Sequence, residues 1–226
     1  MDNYNFLTIG YDCSPASALR GLDRRQFALP FDWVESSITA ITRCFQNNFA
    51  DYHTGLYLNK KKTRVIDKYG FQFPHDYPTV NINDGFTEDT IVPTWKDYYN
   101  KNLEKYKRRI ERFLTIVHDN KPIIILCRYH NADILTLRNL FSKYYNKNNV
   151  FFVNANDVEI FLKIGECYIK SCNTEINNNW SEGAIWKKNI EDIIDPEKQK
   201  EAREVSEDYK IEKPIKKNPR KMLFNL

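Results

Sequence analysis

The chain has 226 residues, 42% of them hydrophobic and 14% aromatic, which suffices for one domain with a substantial buried core. Its 34 basic and 30 acidic residues leave a net charge of +4, too small a surplus to indicate a nucleic-acid surface. Five cysteines without a CxxC pair argue against a disulfide framework and a zinc module. No nucleotide-binding or zinc-enzyme motif is present, so we expect neither a cofactor nor a metal.

The chain carries no sign of membrane targeting. Its first residues lack the basic start and long apolar stretch of a signal peptide, and no apolar run reaches the length of a membrane span. Together with the cysteine usage, this predicts a reducing, cytoplasmic location and no membrane partner.

The first predicted element is a short strand over residues 6–9, which Gly10 stops. A helix-start signal follows, because Ser14 is a good N-cap and Pro15 suits the first helical position, where no backbone N–H is needed. Cys13 is therefore predicted in a tight strand-to-helix turn, at or just before a helix N-terminus.

Two interpretations of Cys13 follow from this position. The helix N-terminus carries about half a positive charge, which favours a thiolate, and its free N–H groups can hold an oxyanion, as a nucleophile requires. The alternative is a core residue, since cysteine is among the most buried residue types.

One carboxylate, Asp32, lies in the next apolar stretch, between Phe31 and Trp33. A carboxylate flanked by large aromatic side chains is either held in place for function or caps a turn. The second reading rests on the two serines that begin the next predicted helix, residues 36–49.

Two short strands are predicted over residues 63–67 and 69–74, and His75 and Asp76 follow the second one. Prolines on both sides of His75 favour a side chain held rigidly at a surface cleft. The alternative is an incidental loop histidine.

The remainder of the core alternates helices and strands, after a loop over residues 79–94 that is long enough to be a lid or binding loop. The predicted elements are a helix over 95–117, a strand over 122–127, a helix over 132–145, a strand over 150–153 and an edge strand over 167–172. This order predicts a layered, α/β/α-like α/β domain with a mainly parallel sheet. Functional sites of such sheets lie beyond the carboxyl ends of the strands, where Cys13 and residues 128–130 fall.

The end of the chain changes in character. A helix over residues 186–194 is still expected to pack, whereas residues 196–209 read as a charged helix and residues 213–221 as a basic tail. We therefore predict a single α/β domain over residues 1–195 and a charged helical extension over residues 196–226. That extension is either solvated or an arm that binds a protein partner or a nucleic acid.

A cysteine nucleophile needs a base within hydrogen-bond reach and often a third group that orients the base. Cys13 as nucleophile, His75 as base and either Asp76 or Asp32 as orienter meet this requirement in residue type, and the sequence does not choose between the carboxylates. The residues expected to contact substrate are Ser14, Trp33, Arg128 and His130.

The segment from Thr8 to Leu19, with its glycine and cysteine, and the Pro-Phe-Asp-Trp of residues 30–33 together resemble the start of a known family. This is a little-characterised family described as papain-like cysteine peptidases. The Phe-Pro-His-Asp of residues 73–76 is similar to its later His-Asp element, and the likeness covers roughly residues 5–155.

The resemblance implies that Cys13 is the nucleophile and His75 its partner. At position 12 this chain has Asp where the family pattern has Asn, and a carboxylate beside the thiol raises the pKa of Cys13. The order of α/β elements differs from a papain fold, so the likeness to papain concerns the Cys/His pairing.

Three functions are compatible with these residues. The leading hypothesis is a cysteine hydrolase or acyl transferase that acts on a peptide, acyl or glycan-type substrate through a thioester-type intermediate. The second is a glycan- or nucleotide-sugar-related binding or transfer domain, in which Arg128, His130 and the loop over residues 79–94 hold an anionic ligand. The third is a non-catalytic interaction protein that recruits a partner through its charged C-terminal segment.

Overall fold

The computed structural model describes residues 3–80, 89–155, 158–172 and 183–210. In chain order the strands are β1 (Asn5–Gly10), β2 (Tyr57–Leu58), β3 (Val65–Ile66), β4 (Thr79–Val80), β5 (Thr90–Ile91), β6 (Ile123–Arg128), β7 (Val150–Ala155), β8 (Ile160–Ile164), β9 (Cys167–Cys172) and β10 (Arg203–Glu204). The helices are α1 (Ser14–Gly21), α2 (Ile38–Gln46), α3 (Tyr99–His118), α4 (Asn131–Tyr145), α5 (Gly183–Ile194) and α6 (Pro196–Gln199), and a 3₁₀ turn at Trp95–Tyr98 leads into α3.

The centre of the fold is a six-stranded sheet with the strand order β1-β6-β7-β9-β8-β10. The first four of these strands are parallel, β8 runs antiparallel to β9, and β10 pairs parallel with β8. The sheet is therefore mainly parallel, and the predicted α/β fold is confirmed.

Helices cover both faces of this sheet, as the residues of β6 show. Ile123, Ile125 and Cys127 join the core formed with α2, α3 and α4, whereas Ile124 and Leu126 join the core formed with α1 and α5. All five side chains are completely buried, which explains why β6 reads as a continuous apolar run. The layers are thus helix, sheet and helix, as expected from the sequence.

The insert between α1 and α3 (residues 22–98) is fixed to the helices through aromatic rings. Phe31 meets Phe113 of α3 edge to face, with ring centroids 5.5 Å apart, and packs against Phe71 of the insert at 5.7 Å. Phe45 of α2 meets Phe141 of α4 edge to face at 5.6 Å. Buried aromatic pairs of this geometry contribute both area and orientation, so the described part of the insert belongs to the same packed body as the sheet.

Two details of the sheet differ from the prediction. The strand over 167–172 is not at the edge, because β8, which the sequence reading missed, pairs antiparallel with it through a tight turn at Gly165. Gly165 has φ +57, a conformation that side-chain-bearing residues rarely adopt.

The expected charged helix over 196–209 is also much shorter than predicted. Only α6 is helical, and Arg203–Glu204 instead add a short parallel strand to the open side of β8. Backbone hydrogen bonding at the sheet edge therefore prevails over the helix propensity of this charged segment. The basic tail at 213–221 and residues 81–88 of the predicted binding loop lie outside the described residues.

Within the ranges described, no helix combines the length and apolarity that crossing a membrane requires.

Candidate active site

Cys13 occupies the N-cap position of α1, in the short turn that follows β1. Its backbone is at φ −83 and ψ −1, and its side chain is partly buried. The helix begins one residue earlier than predicted, so that Ser14 is its first residue and Pro15 its second. A Cβ on Gly10 would come within 3.0 Å of the Pro15 ring, which explains why glycine ends the strand here.

Asp12 holds this turn together. Its Oδ1 accepts hydrogen bonds from the Ser14 backbone N–H at 2.9 Å and the Ser14 hydroxyl at 2.5 Å. Its Oδ2 lies 2.5 Å from Nη1 of Arg128, at the carboxyl end of the neighbouring strand β6. Because β1 and β6 are paired in register from Asn5 with Ile123 to Gly10 with Arg128, their ends meet at one edge of the sheet, as predicted.

These contacts correct two expectations about the turn. Ser14 is completely buried and bonded to Asp12, so it is not placed to contact a substrate. The Ser14 N–H is also occupied, and Pro15 has none, so the expected oxyanion site is reduced. The N–H of Cys13 itself faces its own sulfur, where it lowers the pKa of the thiol.

The pKa of the Cys13 thiol is raised above its ordinary value. Burial is the main cause, the Asp12 carboxylate raises it further, and Glu35 adds a smaller effect in the same direction. Arg128 lowers it, but not enough to compensate. The helix N-terminus therefore does not bring the pKa of Cys13 below its ordinary value, because burial and the neighbouring Asp12 carboxylate outweigh it. A raised pKa favours the thiol over the thiolate that the sequence led us to expect.

A cleft of about 480 Å³ opens beside this turn. Tyr11, two residues before Cys13, forms one wall, and Glu35 of the insert forms another. Tyr129, His130 and Asp133, where β6 passes into α4, also line the cleft. His130 is exposed in this cleft, as its expected role in substrate contact requires.

The walls of the cleft are joined by buried hydrogen bonds. The Ser36 hydroxyl donates to the Gly10 carbonyl oxygen at 2.6 Å, and the Ser36 N–H donates to the same oxygen at 3.2 Å. The Tyr129 hydroxyl lies 2.7 Å from Ser36 Oγ and donates to the Ser36 carbonyl at 2.9 Å. One serine thus links the insert to the ends of both β1 and β6.

Asn154 is a buried polar residue that the sequence reading missed. Its Oδ1 accepts from the Tyr129 N–H at 3.0 Å, and its Nδ2 donates to the Tyr129 carbonyl at 2.8 Å. Nδ2 also lies 3.1 Å from Asn131 Oδ1 and 3.1 Å from Ser171 Oγ. Asn154 therefore holds the backbone from which Tyr129 and His130 emerge. An asparagine at the end of the apolar run in β7 was the available signal.

His75 lies in an exposed loop of the insert, beside Trp33. The two rings meet edge to face with centroids 5.9 Å apart, and the Arg20 guanidinium lies over the indole at 4.9 Å. Trp33 has φ +64, an unusual conformation for a bulky residue, which holds its ring between these groups. In the described part of the chain, no hydrogen bond joins the Cys13 thiol to an imidazole.

Both carboxylates considered as orienters of His75 are held by other partners. Asp32 is buried and accepts hydrogen bonds from the Thr8 hydroxyl, the Arg25 guanidinium and the Leu29 backbone N–H. It therefore fixes the insert to β1, and its carboxylate oxygens do not bond His75.

Asp76 points to α3 instead. Its carboxylate binds the Lys105 ammonium and the Tyr106 hydroxyl, while its carbonyl accepts from the Asn102 side chain at 2.7 Å. Asp76 therefore anchors the loop that carries His75 but does not orient its ring.

The other expected substrate contacts are divided between two places. Arg128 is paired with Asp12 and stacks over Tyr11, with the guanidinium carbon 5.2 Å from the ring centre, so its charge is already engaged. Trp33 lies with His75, and it is not one of the described residues that line the cleft. Among the described residues, no three potential metal ligands converge.

Comparison with known proteins gives two relatives. An uncharacterized protein of Acanthamoeba polyphaga mimivirus is 28% identical over 143 residues, which are 54% of this chain and 60% of that protein. The lysine--tRNA ligase of Buchnera aphidicola subsp. Cinara cedri (strain Cc) is 30% identical over 108 residues, 46% of this chain and 20% of that enzyme. The chain thus spans less than two thirds of the length of either relative, and no solved structure matches it.

A family model also matches residues 4–160, a range that begins just before β1 and ends at the start of β8. The matched range includes Cys13, Asp32, His75 and the cleft described above. Since it covers well over half of the sequence, the chain belongs to the family described as "Putative papain-like cysteine peptidase (DUF1796)".

Proposed function

We propose that this protein is a cysteine hydrolase in which the Cys13 thiol is the nucleophile. The observation that carries the proposal is the position of Cys13. It is partly exposed at the N-terminus of α1, at the carboxyl edge of a parallel sheet and beside a cleft of ligand size. Membership in a family described as cysteine peptidases supports the same chemistry.

The reaction we propose proceeds through a thioester. The Cys13 thiol loses its proton to an imidazole as the sulfur bonds to the acyl carbon, and the bond to the leaving group breaks as the imidazolium protonates that group. Water then attacks the thioester, releases the acid and restores the thiol. Because burial and Asp12 raise the pKa of Cys13, this reaction needs a base that takes the thiol proton.

We assign the base role to His75. The family resemblance favours this residue, and the anchoring of Asp76 to α3 holds its loop in place before substrate binds. Its neighbour Trp33 packs on Arg20, which lies seven residues after Cys13. His130 is the competing base, because it lines the cleft.

The test begins with Cys13→Ala. We expect this variant to lose both hydrolysis of peptide and thioester substrates and iodoacetamide labelling of the peptide that contains residue 13, as read by mass spectrometry. Cys172→Ala, which removes the other partly buried cysteine among the described residues, is the matched control and should keep turnover. A Cys13→Ala protein with wild-type turnover would exclude the proposal.

The choice of base is tested with His75→Ala and His130→Ala. Loss of a general base lowers turnover by about 100-fold or more, whereas loss of a substrate contact changes mainly KM. We expect the first pattern for His75. If His130→Ala shows it and His75→Ala does not, the assignment of the base to His75 is wrong and the nucleophile is unaffected.

A further inference from the structure

The cleft beside Cys13 has the chemistry of a pocket for a positively charged side chain. We infer that it selects a substrate with a lysine- or arginine-type group next to the scissile acyl group. This inference rests on the proposed function, since it names the substrate class of that site.

The first argument is charge. Two carboxylates line the cleft, Glu35 from the insert and Asp133 from the first turn of α4. Among the described residues that line it there is no lysine or arginine. An arginine or lysine side chain entering the cleft would therefore meet complementary charge from both carboxylates, whereas an acidic one would meet repulsion.

The two carboxylates differ in how far they are already compensated. The Glu35 carboxylate forms an ion pair with Arg64, whose Nε lies 3.0 Å from Oε1. Arg64 is not among the described residues that line the cleft. Asp133 is partly buried and has no ion-pair partner among the described residues. Asp133 thus supplies the larger uncompensated charge, and Glu35 supplies the second.

The second argument is shape and surface. The volume of about 480 Å³ accommodates one long side chain with water, and Tyr11 remains 40% exposed although the Arg128 guanidinium lies over its ring. Tyr129, whose ring centroid lies 6.3 Å from that of Tyr11, also lines the cleft. Aromatic side chains of this kind pack against the alkyl stem of a basic side chain.

The third argument is rigidity. The Ser36 hydrogen bonds to Gly10 and Tyr129 fix the Glu35 segment relative to both strand ends. The pairing of Glu35 with Gln72 through two backbone hydrogen bonds of 3.0 Å fixes it from the other side. A prearranged wall of this kind selects a ligand at lower entropic cost than a wall that must fold around it.

The proximity of the cleft to the nucleophile makes this selection relevant to the reaction. Cys13 is not one of the described residues that line the cleft, but Tyr11, two residues before it, is, and the lining residue Glu35 acts electrostatically on the Cys13 thiol. A side chain bound in the cleft would therefore belong to the residue at, or next to, the acyl group that Cys13 attacks.

The experiment uses two peptidyl acyloxymethyl ketones that differ only in having arginine or citrulline beside the reactive carbonyl. Citrulline keeps the shape of arginine and removes its charge. We expect the arginine reagent to alkylate Cys13 of the full-length protein faster than the citrulline reagent does. Each of the two carboxylates that contributes should increase the ratio of the rates by about fivefold. Glu35→Gln and Asp133→Asn should each reduce this ratio, and the double variant should bring it near one. Glu104→Gln, an exposed carboxylate on α3, is the matched control and should leave the ratio unchanged.

The outcomes separate the two proposals. Equal alkylation of wild-type Cys13 by both reagents would overturn the cation preference and leave the nucleophile in place. If neither reagent modifies Cys13, the proposed hydrolase fails.

In that case the charge of the cleft is read by the reaction of the Cys13 thiol with methanethiosulfonates, which forms a mixed disulfide, releases methanesulfinate and needs no catalysis. The probes are the cationic trimethylammonioethyl and the anionic sulfonatoethyl methanethiosulfonates. A cationic preference that falls in the double variant supports the binding site, and its absence overturns it.

Discussion

The Asp12 carboxylate lies 2.5 Å from the Arg128 guanidinium and joins the carboxyl ends of β1 and β6. The same carboxylate accepts two hydrogen bonds from Ser14 and raises the pKa of the neighbouring Cys13. One side chain therefore shapes the turn, joins the ends of the two strands and adds to the rise in the pKa of the thiol. Removing its charge without removing its hydrogen bonds should separate these roles.

Asp12→Asn is expected to make Cys13 more reactive. The amide oxygen can still accept from Ser14, while the charge that raises the pKa of the thiol is gone and Arg128, which lowers it, is released. Each unit by which the pKa falls gives about tenfold more thiolate at neutral pH. The measurement is the pH dependence of iodoacetamide alkylation of Cys13. An unchanged or higher apparent pKa in the variant would contradict this account.

Asp12→Ala is the matched comparison, because it removes both the charge and the hydrogen bonds to Ser14. Loss of this type of helix-start contact costs about 1 kcal/mol. We therefore expect Asp12→Ala to unfold at lower denaturant concentration than Asp12→Asn.

Asp32→Asn should lower stability and leave Cys13 chemistry intact. The change removes the negative charge that pairs with the Arg25 guanidinium, and it weakens the hydrogen bonds from the Thr8 hydroxyl and the Leu29 N–H. Breaking such a pair costs about 2 kcal/mol or more, to be measured by chemical denaturation. The rate of Cys13 alkylation should stay within about twofold of wild type. If Cys13 alkylation slows strongly while the free energy of unfolding is unchanged, Asp32 acts in the chemistry of Cys13 and the structural account is wrong.

His53 should make the protein less stable in mild acid. The residue is buried against Phe73 and Tyr106, and its Nε2 lies 2.9 Å from the Tyr77 hydroxyl. Burial lowers its pKa to about 4, an effect that Asp76 opposes and Lys105 reinforces. In the unfolded chain a histidine has a pKa of about 6.5.

The sign of the effect follows from proton binding. Between about pH 6.5 and 4 the unfolded state holds the proton and the folded state does not. The free energy of unfolding therefore decreases as the pH falls through this window. The slope is at most about 1.4 kcal/mol per pH unit. Buried Asp67, whose pKa burial raises to about 6, contributes the opposite slope between about pH 6 and 4.

The readout for His53 is therefore the difference between wild type and His53→Gln in the free energy of unfolding, measured against pH. As the pH falls, we expect the free energy of unfolding of wild type to decrease relative to that of His53→Gln. A difference that stays constant from pH 7 to 4 would show that His53 is protonated equally in both states.

Asn154→Asp should destabilise the cleft wall. The new carboxylate oxygen would face the Tyr129 carbonyl and Asn131 Oδ1, two acceptors that now receive a hydrogen bond from Nδ2. Leaving buried polar groups unsatisfied costs about 1–3 kcal/mol each. Ser171→Ala, which removes only one partner of Nδ2, is the control and should cost about 1 kcal/mol. Equal unfolding free energies for the two variants would show that Asn154 is not the centre of this network.

The regular elements of the fold were predictable because their patterns are local. The amphipathic run of α3 and the apolar runs of β6 and β7 identify themselves by period and length. β8 was not predicted, because its five residues, IFLKI, form a short run that follows a polar stretch. Only the pairing with β9 across Gly165 makes them a strand. β10 depends wholly on the free edge of β8, which no local pattern reveals.

The site divides in the same way. The position of Cys13 at a helix start follows from the glycine, serine and proline around it, and the meeting of its turn with Arg128 follows from the parallel pairing of β1 and β6. The partners of Asp32 and Asp76 do not follow from sequence, since Thr8, Lys105 and Tyr106 are distant in the chain. The acidic residues of the cleft were missed for the same reason.

The strand that leads to Cys13 is the outermost of the sheet, with β6 as its one neighbour in the described structure. A residue at the end of a central strand would be flanked by two strand ends, whereas here the second flank is supplied by the residues around Glu35 and Gln72. Glu35 and Gln72 are bonded to each other through their backbones, and the Ser36 N–H donates to the Gly10 carbonyl at the end of β1. The wall beside Cys13 is thus built from a folded insert, so its shape depends on the packing of residues distant from the sheet.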